Sequence, residues 1–286
     1  MKYYIKLMRV HHYIKNFLVF AAVVGSGELF TSKKFGQSLL AFVAFCAVSS
    51  IVYIINDIQD CEKDRQHPTK RNRPIASGKV SIQNAYLLLA MLLVIVAIIS
   101  WMNFNLLAVL ILISYILLNI AYSYGLKNMP IVDIFILVSG FLLRVLYGAV
   151  ITNISVSDWL YLTVISISFF FALGKRRNEL KRISSGKTRA VLKYYTEGFL
   201  DKVMYMFLGL ANVFYALWTM DKQQSMSGNH LLVWTVPIVL LISLTYSMNV
   251  EGDSDGDPVE VLLHDKMLIL LSLIYCLVMV IFLYVL

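Results

Sequence analysis

The chain has 286 residues, of which 59% are hydrophobic, and a formal net charge of +8. Its mean hydropathy of +0.73 and its apolar content exceed those of soluble domains, which are roughly half apolar, and predict an integral membrane protein. The basic excess does not indicate nucleic-acid binding, because the Lys and Arg residues lie in short segments between apolar runs.

Nine apolar segments follow one another along the chain. Most are near the roughly twenty residues that a helix needs to cross a bilayer. We therefore predict an all-α fold in which residues 1–286 form a single polytopic membrane domain. The first segment is the weakest, since it is short and carries Glu28 near its end. The predicted spans are 14–30, 37–55, 82–102, 104–122, 130–151, 158–174, 202–220, 230–248 and 267–286.

The distribution of Lys and Arg predicts the orientation of these spans. With the N-terminus inside, 21 of the 25 Lys and Arg residues fall in or beside inside segments and three in outside loops, while Arg144 lies within a span. This bias follows the positive-inside rule. We expect an inner or plasma membrane protein whose N-terminus and loops after spans two, four, six and eight are cytoplasmic, with the C-terminus outside.

A polar stretch after span two, residues 56–78, reads NDIQDCEKDRQHPTKRNRPIASG. At about 100° per residue, a helix would place Asp57, Asp60, Asp64 and Asn56 on one face and turn Glu62 away from it. Pro68 disfavours helical geometry at the residue before it, so the helix should end near residue 67.

Clustered carboxylates on one helix face repel one another unless a cation lies between them. Oxygen ligands suit Mg²⁺, with Mn²⁺ as an alternative, and Mg²⁺ commonly binds one or two carboxylates together with substrate phosphates. The bases Lys70, Arg71 and Arg73 in the following loop suit such phosphates. The competing interpretation is a solvated cytosolic loop of mixed charge.

Spans four and five carry the next polar residues. Span four ends at Tyr122, and Ser123 and Lys127 follow it. These side chains either face the same cytoplasmic opening as the acidic stretch or serve as interfacial anchors. Asp133 and Arg144 in span five share a helix face but lie about 16 Å apart along it, so they cannot pair directly. A charge within a span is a functional candidate, with an ion pair to another helix as the alternative.

Span six ends in a compact cationic step, Lys175, Arg176 and Arg177. This step is either a phosphate-binding group or a positive-inside anchor.

These motifs resemble the UbiA superfamily of intramembrane prenyltransferases, whose Asp-rich NDxxDxxxD motif matches Asn56, Asp57, Asp60 and Asp64. Within that superfamily the chain is similar to the decaprenyl-phosphate phosphoribosyltransferase branch over nearly its whole length. The branch also shows the motifs found here at Lys15-Asn16, Tyr122 to Lys127, Leu143-Arg144, Gly174 to Leu180 and Gly256 to Asp265.

The resemblance implies a bundle of nine transmembrane helices with a polar active site at the cytoplasmic face. It implies transfer of 5-phosphoribose from phosphoribosyl diphosphate to a decaprenyl-type polyprenyl phosphate, for synthesis of cell-envelope glycolipid and arabinan precursors. Mg²⁺ would be held by Asp57, Asp60 and Asp64 with help from Asn56. The implied substrate-binding residues are Lys15, Asn56, Lys70, Arg71, Arg73, Tyr122, Lys127, Arg144, Lys175, Arg176 and Arg177.

The sequence departs from the general superfamily pattern after span six. Enzymes that use a prenyl diphosphate donor usually carry a second Asp-rich motif there, whereas this chain has the cationic step. This weakens the alternative of prenyl transfer to an aromatic or quinone precursor. A third interpretation is a transporter with Asp133 and Arg144 as substrate ligands. We expect membrane lipids as partners and no nucleic acid, and a homo-oligomer is left open.

Overall fold

A computed structural model describes residues 2–181, 190–225, 231–252 and 258–285. Within these ranges the regular secondary structure is entirely helical, which confirms the predicted all-α fold. The helices group into two compact units. Unit 1 comprises residues 1–126 and 143–155, and unit 2 comprises residues 127–142 and 156–286. The prediction of a single membrane domain stays a prediction.

Unit 1 is built around one long helix, α3. The most apolar window of α3 is 67% buried, whereas that of α5 is only 17% buried, so α3 is the central helix of this unit and α5 keeps its apolar side chains available to lipid. The helices are α1 (Lys2–Met8), α2 (Ala21–Ser26), α3 (Ser32–Gln59), α4 (Cys61–Arg65), α5 (Ile82–Met102) and α6 (Leu106–Tyr124), with 3-10 helices at Val10–Phe20 and Lys70–Asn72.

Side-chain caps fix where two of these helices begin. The Ser81 hydroxyl accepts the Asn84 N–H at 3.2 Å at the start of α5. The Asn105 side-chain oxygen accepts the N–H groups of Leu107 and Ala108 at the start of α6. Such caps satisfy backbone donors that have no partner within the helix.

Unit 2 contains the remaining helices, with α7 contributing its first half here and its second half to unit 1. Its apolar core includes Phe170, Leu200 and Met204. A Cβ atom at Gly174 would lie 3.3 Å from Met204 Sδ, so glycine permits close packing at this point. The helices are α7 (Val132–Thr152), α8 (Asp158–Lys181), α9 (Glu197–Ser225), α10 (Val236–Glu251), α11 (Pro258–His264) and α12 (Lys266–Tyr284), with 3-10 helices at Leu126–Asn128, Ala190–Tyr194 and Leu232–Thr235.

Eight helices in the described ranges are long and apolar enough to cross a membrane, and they correspond to predicted spans two to nine. The first predicted span, 14–30, differs, because residues 10–26 form the 3-10 helix Val10–Phe20 followed directly by α2. A 3-10 helix rises about 2.0 Å per residue and an α-helix 1.5 Å, so together they extend about 30 Å, the thickness of the hydrocarbon core. The structure is thus compatible with nine crossings.

Tight backbone packing accompanies this 3-10 segment. A Cβ atom at Gly148 of α7 would overlap the carbonyl oxygen of Val19. Both residues are buried, so only glycine allows the two backbones to approach this closely.

Candidate active site

The acidic stretch begins on α3 and continues through α4. The break between the two helices lies at Asp60, whose N–H still donates to the Asn56 carbonyl at 2.9 Å. The Asp64 N–H donates to the Asp60 carbonyl at 2.8 Å, so helical hydrogen bonding runs across the break. α4 ends at Arg65, close to the end predicted from Pro68.

Burial separates the four acids of this stretch. Asp57 and Asp64 are each 3% exposed, Asp60 is half-buried, and Glu62 is exposed. The two buried residues, which we call the acid pair, lie seven residues apart and thus two helical turns apart on one side. A buried carboxylate needs a compensating charge or hydrogen bonds.

Two arginines compensate the acid pair. Arg73 Nη1 lies 3.2 Å from Asp57 Oδ1 and 2.7 Å from Asp64 Oδ2, so one guanidinium nitrogen bridges both carboxylates. Arg9 Nη2 donates to Asp57 Oδ1 at 2.8 Å, and its guanidinium carbon lies 4.5 Å from the centre of the Tyr53 ring. Arg9 adopts a left-handed backbone (φ 53°), a conformation that is uncommon for a residue with a side chain.

The backbone of Arg73 is fixed by its own loop. Its N–H donates to the Lys70 carbonyl at 2.9 Å, and its carbonyl accepts the N–H and hydroxyl of Ser77 at 2.9 and 2.7 Å. The side chain of Arg73 is 26% exposed, and Lys70 and Arg71 on the same loop are exposed. The loop therefore directs Arg73 to the acid pair and keeps Lys70 and Arg71 at its exposed surface.

The end of α6 meets the acidic stretch through one hydrogen bond. The Ser123 hydroxyl donates to the Asn56 side-chain oxygen at 2.8 Å and also to the Asn119 carbonyl. Ser123 thus connects the motif after span four with the motif after span two. Tyr122 and Lys127 are half-buried.

Arg144 belongs to unit 1 and lies in a buried polar group. It donates from Nε to the Asn16 side-chain oxygen at 2.8 Å and from Nη2 to the Tyr115 hydroxyl at 3.0 Å. Its guanidinium also lies 5.1 Å from the centre of the Phe45 ring. Asn16 is buried, and the preceding Lys15 is half-buried. The Lys-Asn motif near the N-terminus and the Leu-Arg motif of α7 therefore meet through Asn16 and Arg144.

Asp133 and Arg176 form the centre of a buried network in unit 2. Both are 0% exposed, and Arg176 Nε lies 2.6 Å from Asp133 Oδ2. Arg176 Nη1 also pairs with Glu179 at 2.8 Å. The Tyr195 hydroxyl donates to Asp133 Oδ1 at 2.7 Å and accepts the Ile131 N–H at 2.6 Å. Burial raises the pKa of Tyr195 to about 12, so this hydroxyl stays protonated at neutral pH.

Arg177 enters a second set of ion pairs in unit 2. It donates from Nε to Asp201 at 2.6 Å and from Nη2 to Glu251 at 2.9 Å, and it is 3% exposed. Lys175 is half-buried. Direct phosphate binding by the whole cationic step stays a prediction, and for Arg176 and Arg177 it would require these carboxylate contacts to break.

Sequence reasoning missed Arg9 as a partner of Asp57, because nothing distinguished Arg9 from the other basic residues near the N-terminus. It also left the partner of Asp133 open. The signal for that partner was the cost of an uncompensated carboxylate in a span, but nothing in the spacing identified Arg176 or Tyr195.

The chemistry of the acid pair fits a divalent cation. Within the described residues, no three His, Cys, Asp or Glu side chains are grouped closely enough to hold a metal ion as they stand. However, the two carboxylate oxygens that contact Arg73 Nη1 are at most about 6 Å apart, as their distances to that atom require. Mg²⁺ binds through one or two carboxylates, retains waters and takes phosphate oxygens, so two converging acids form a suitable partial ligand set.

The fold is similar to the folds of solved structures. A UbiA homologue from Archaeoglobus fulgidus bound to DMAPP and Mg²⁺ aligns with a TM-score of 0.69 at 17% identity, covering 98% of this chain and 96% of that one. A structure described as digeranylgeranylglyceryl phosphate synthase in membranes gives 0.63 at 19% identity and covers 100% and 99%. The helical fold and the acidic end of α3 thus define an intramembrane protein of the UbiA fold.

Residues 17–183 match the UbiA prenyltransferase family, and the chain belongs to this family. It is 36% identical to the decaprenyl-phosphate phosphoribosyltransferase of Corynebacterium glutamicum over 97% of this chain and 86% of that protein. It is also 36% identical to the enzyme of the same name from Mycolicibacterium smegmatis, over 94% and 88%. The corresponding Mycobacterium tuberculosis protein is 34% identical over 94% and 90%.

Proposed function

We propose that the protein transfers 5-phosphoribose from phosphoribosyl diphosphate to a polyprenyl phosphate and releases diphosphate. The observation that carries this proposal is the match, at 34–36% identity, to phosphoribosyltransferases over 86–90% of their length. The acid pair and the basic loop that follows it supply groups suited to a metal and to a phosphorylated donor. In the reaction, the ribose C1–O bond to diphosphate breaks and a bond from C1 to a lipid phosphate oxygen forms.

Asp57, Asp60 and Asp64, assisted by Asn56, would hold Mg²⁺, or Mn²⁺ in its place. The metal would supply charge neutralisation on the leaving diphosphate. Asp57 and Asp64 are buried with their side chains directed to one cation, and Ser123 fixes the Asn56 amide through a hydrogen bond. These contacts orient the acidic ligands before the donor binds.

The remaining proposed substrate-binding residues divide by exposure. Lys70 and Arg71 are exposed and Arg73 is part-exposed, so they suit the phosphates of a soluble donor, which arginine can bind through two parallel hydrogen bonds. We propose that Lys175 meets a substrate phosphate, while Arg176 and Arg177 position the end of α8 through their ion pairs. The other proposed substrate-binding residues are Lys15, Tyr122, Lys127 and Arg144.

The nucleophile in this proposal is the lipid phosphate itself. A phosphate monoester has a second pKa of about 6, so it is largely ionised at neutral pH and needs no general base. The chain's contribution is then to position two phosphorylated substrates and to stabilise developing charge. We infer from the Lys and Arg distribution that these groups face the cytoplasm, where a soluble donor is available.

Prenyl transfer from a prenyl diphosphate is the second candidate, because the family is named for this activity. A UbiA homologue was solved with DMAPP and Mg²⁺. The cationic step at Lys175–Arg177 argues against this candidate. An enzyme that uses a prenyl diphosphate donor would be expected to carry a second acidic motif at this place. The ion pairs of Arg176 with Asp133 and of Arg177 with Asp201 make this region part of the fold of unit 2.

The test is a donor comparison on the purified protein in lipid nanodiscs. Radiolabelled phosphoribosyl diphosphate with decaprenyl phosphate should give a labelled lipid product, which EDTA abolishes and Mg²⁺ or Mn²⁺ restores. Radiolabelled prenyl diphosphate with an aromatic acceptor should give none. Product only in the second reaction would overturn the proposed function in favour of prenyl transfer.

A further inference from the structure

Arg73 lies between the two buried carboxylates that are proposed to hold the metal ion. A single nitrogen, Nη1, contacts Asp57 Oδ1 and Asp64 Oδ2 at 3.2 and 2.7 Å. A divalent cation between the same two oxygens would meet this nitrogen directly. Arg73 and the cation therefore cannot both occupy the space between the acid pair.

Charge leads to the same conclusion. The acid pair carries two negative charges, and Arg9 and Arg73 carry two positive charges, so the four side chains are neutral together. A divalent cation added to this group would bring two further positive charges beside carboxylates that are 3% exposed, and the half-buried Asp60 could balance only one of them. Such charge is costly in a poorly solvated place. Either a cation must leave or an anion must arrive.

The two arginines differ in how easily they can leave. Arg9 packs its guanidinium over the Tyr53 ring at 4.5 Å, whereas the side chain of Arg73 extends from a loop whose backbone is held by Lys70 and Ser77. Rotation of the Arg73 side chain would release the acid pair without moving the loop. Its guanidinium, which is part-exposed, would then be free to donate two hydrogen bonds to a phosphate.

We propose that Arg73 competes with the divalent cation for the acid pair and, once displaced, binds the diphosphate of the donor. Arg73 thereby couples metal binding to donor binding. This inference rests on the proposed function, since it takes the acid pair as metal ligands and a diphosphate as part of the donor. By thermodynamic reciprocity, diphosphate raises the affinity for the metal by the same factor as the metal raises the affinity for diphosphate.

The experiment measures binding without turnover, using Mn²⁺ and inorganic diphosphate as probes. Mn²⁺ is titrated by electron paramagnetic resonance into wild type, Arg73→Gln and Arg71→Gln in nanodiscs. Arg71→Gln is the matched control, because it removes the same charge from the same loop at an exposed position. Losing a charge-assisted contact is worth about tenfold or more. Arg73→Gln should therefore bind Mn²⁺ alone at least tenfold more tightly than wild type, while Arg71→Gln changes it much less.

For inorganic diphosphate, the second probe, the expected change in affinity is in the opposite direction. With Mn²⁺ saturating, Arg73→Gln should bind diphosphate at least tenfold more weakly than wild type. Arg73→Lys separates the two roles, since an ammonium can lie between two carboxylates but cannot form the planar fork. It should restore near-wild-type Mn²⁺ affinity while diphosphate binding stays weakened.

The outcomes distinguish the inference from the proposed function. Mn²⁺ binding by Arg73→Gln that is equal to or weaker than that of wild type would overturn the competition and leave the metal site intact. Mn²⁺ binding by none of the proteins, even with diphosphate present, would overturn both the metal assignment and the inference. An equal increase in Mn²⁺ affinity in Arg71→Gln and Arg73→Gln would show that the effect comes from the total charge of the loop. It would overturn the role of the contact between Arg73 and the acid pair.

Discussion

In unit 1 the acids are buried and their arginine partners are part-exposed, whereas in unit 2 the arginine at the centre is itself buried. The side chains of Arg9 and Arg73 keep 23% and 26% of their surface exposed while they contact the acid pair. Arg176 and Asp133 are both 0% exposed. Arginine–aspartate ion pairs therefore occur in unit 1 with cations that solvent can reach and, at Arg176 in unit 2, with a cation that solvent cannot reach.

The difference determines what each cluster can do. A part-exposed arginine on a loop can exchange its carboxylate for water or a ligand without itself becoming buried and unpaired, provided that another cation takes its place beside the buried carboxylates. Removing one partner of a buried pair costs about 3–5 kcal/mol, because the other charge is left uncompensated. We infer that the acid pair and its arginines belong to the reaction, and that the pairing of Asp133 with Arg176 belongs to the stability of unit 2.

The largest effect is expected from the acid pair. Asp57→Asn keeps the size of the side chain but removes a charge that metal binding and catalysis would use, which is worth several kcal/mol. We expect turnover to fall about a thousandfold or more, which corresponds to about 4 kcal/mol. The measurement is the rate of labelled lipid formation at saturating donor.

Glu62→Gln is the matched control for that substitution, because Glu62 lies in the same stretch but is exposed. Its rate should stay within about threefold of wild type, as expected for a surface change of less than about 0.5 kcal/mol. Comparable losses in Asp57→Asn and Glu62→Gln would contradict the distinction between buried and exposed acids.

The next effect is on stability and concerns two neighbouring residues of α8. Arg176→Gln leaves Asp133 without its buried partner and should lower the free energy of unfolding by about 3–5 kcal/mol. Lys175→Gln removes the same charge one residue away, at a half-buried position. It should raise the KM of a substrate with little change in stability.

Unfolding of both variants in detergent, followed by circular dichroism, checks the first half of this expectation, and steady-state kinetics checks the second. If Arg176→Gln melted like wild type while its KM rose, Arg176 would be a phosphate ligand after all. The comparison between the two units would then fail.

The contrast also shows which features the sequence alone could provide. Length and hydropathy located spans two to nine, because a crossing helix needs about twenty apolar residues whatever its neighbours are. The helical period placed Asp57 and Asp64 together because they lie seven residues, or two turns, apart. These are local properties, and a single segment is enough to predict them.

The partners of the charged groups are not local. Arg9 lies 48 residues from Asp57, and Arg176 lies 43 residues from Asp133, so nothing in their spacing links them. The 3-10 segment Val10–Phe20 also makes a contact that is distant in sequence, since Val19 meets Gly148 of α7. The aspartate partners of Arg176 and Arg177 likewise lie far away in the sequence, so spacing alone left these residues open between anchor and ligand.

The smallest effect is expected for a carboxylate that has neither a metal role nor an arginine partner among its described contacts. Asp265 caps α12, with Oδ1 accepting the N–H groups of Met267 and Leu268 at 2.7 and 3.0 Å, and Oδ2 accepting from the Asn249 amide at 2.6 Å. The Leu268 N–H and then the Asn249 amide lower the pKa of Asp265 from its ordinary value. A lowered pKa in the folded state means that the charged form stabilises the fold. This stabilisation is present above the unfolded-state pKa of about 3.9 and is lost as the pH falls through the lower folded-state pKa.

Asp265→Ala should therefore lower the Tm by only on the order of 2 °C at pH 7, and the difference from wild type should shrink as the pH is taken below about 4. Asp265→Asn keeps an oxygen that can cap the helix but cannot titrate. Its deficit relative to wild type should therefore be smaller at pH 7 and should also shrink at low pH, as the carboxylate of wild type becomes protonated. Melting curves between pH 3 and 7, with turnover measured per folded protein, provide the test. A large loss of turnover in Asp265→Ala at an unchanged Tm would mean that a carboxylate of unit 2 serves the reaction, and the assignment of chemistry to the acid pair alone would be wrong.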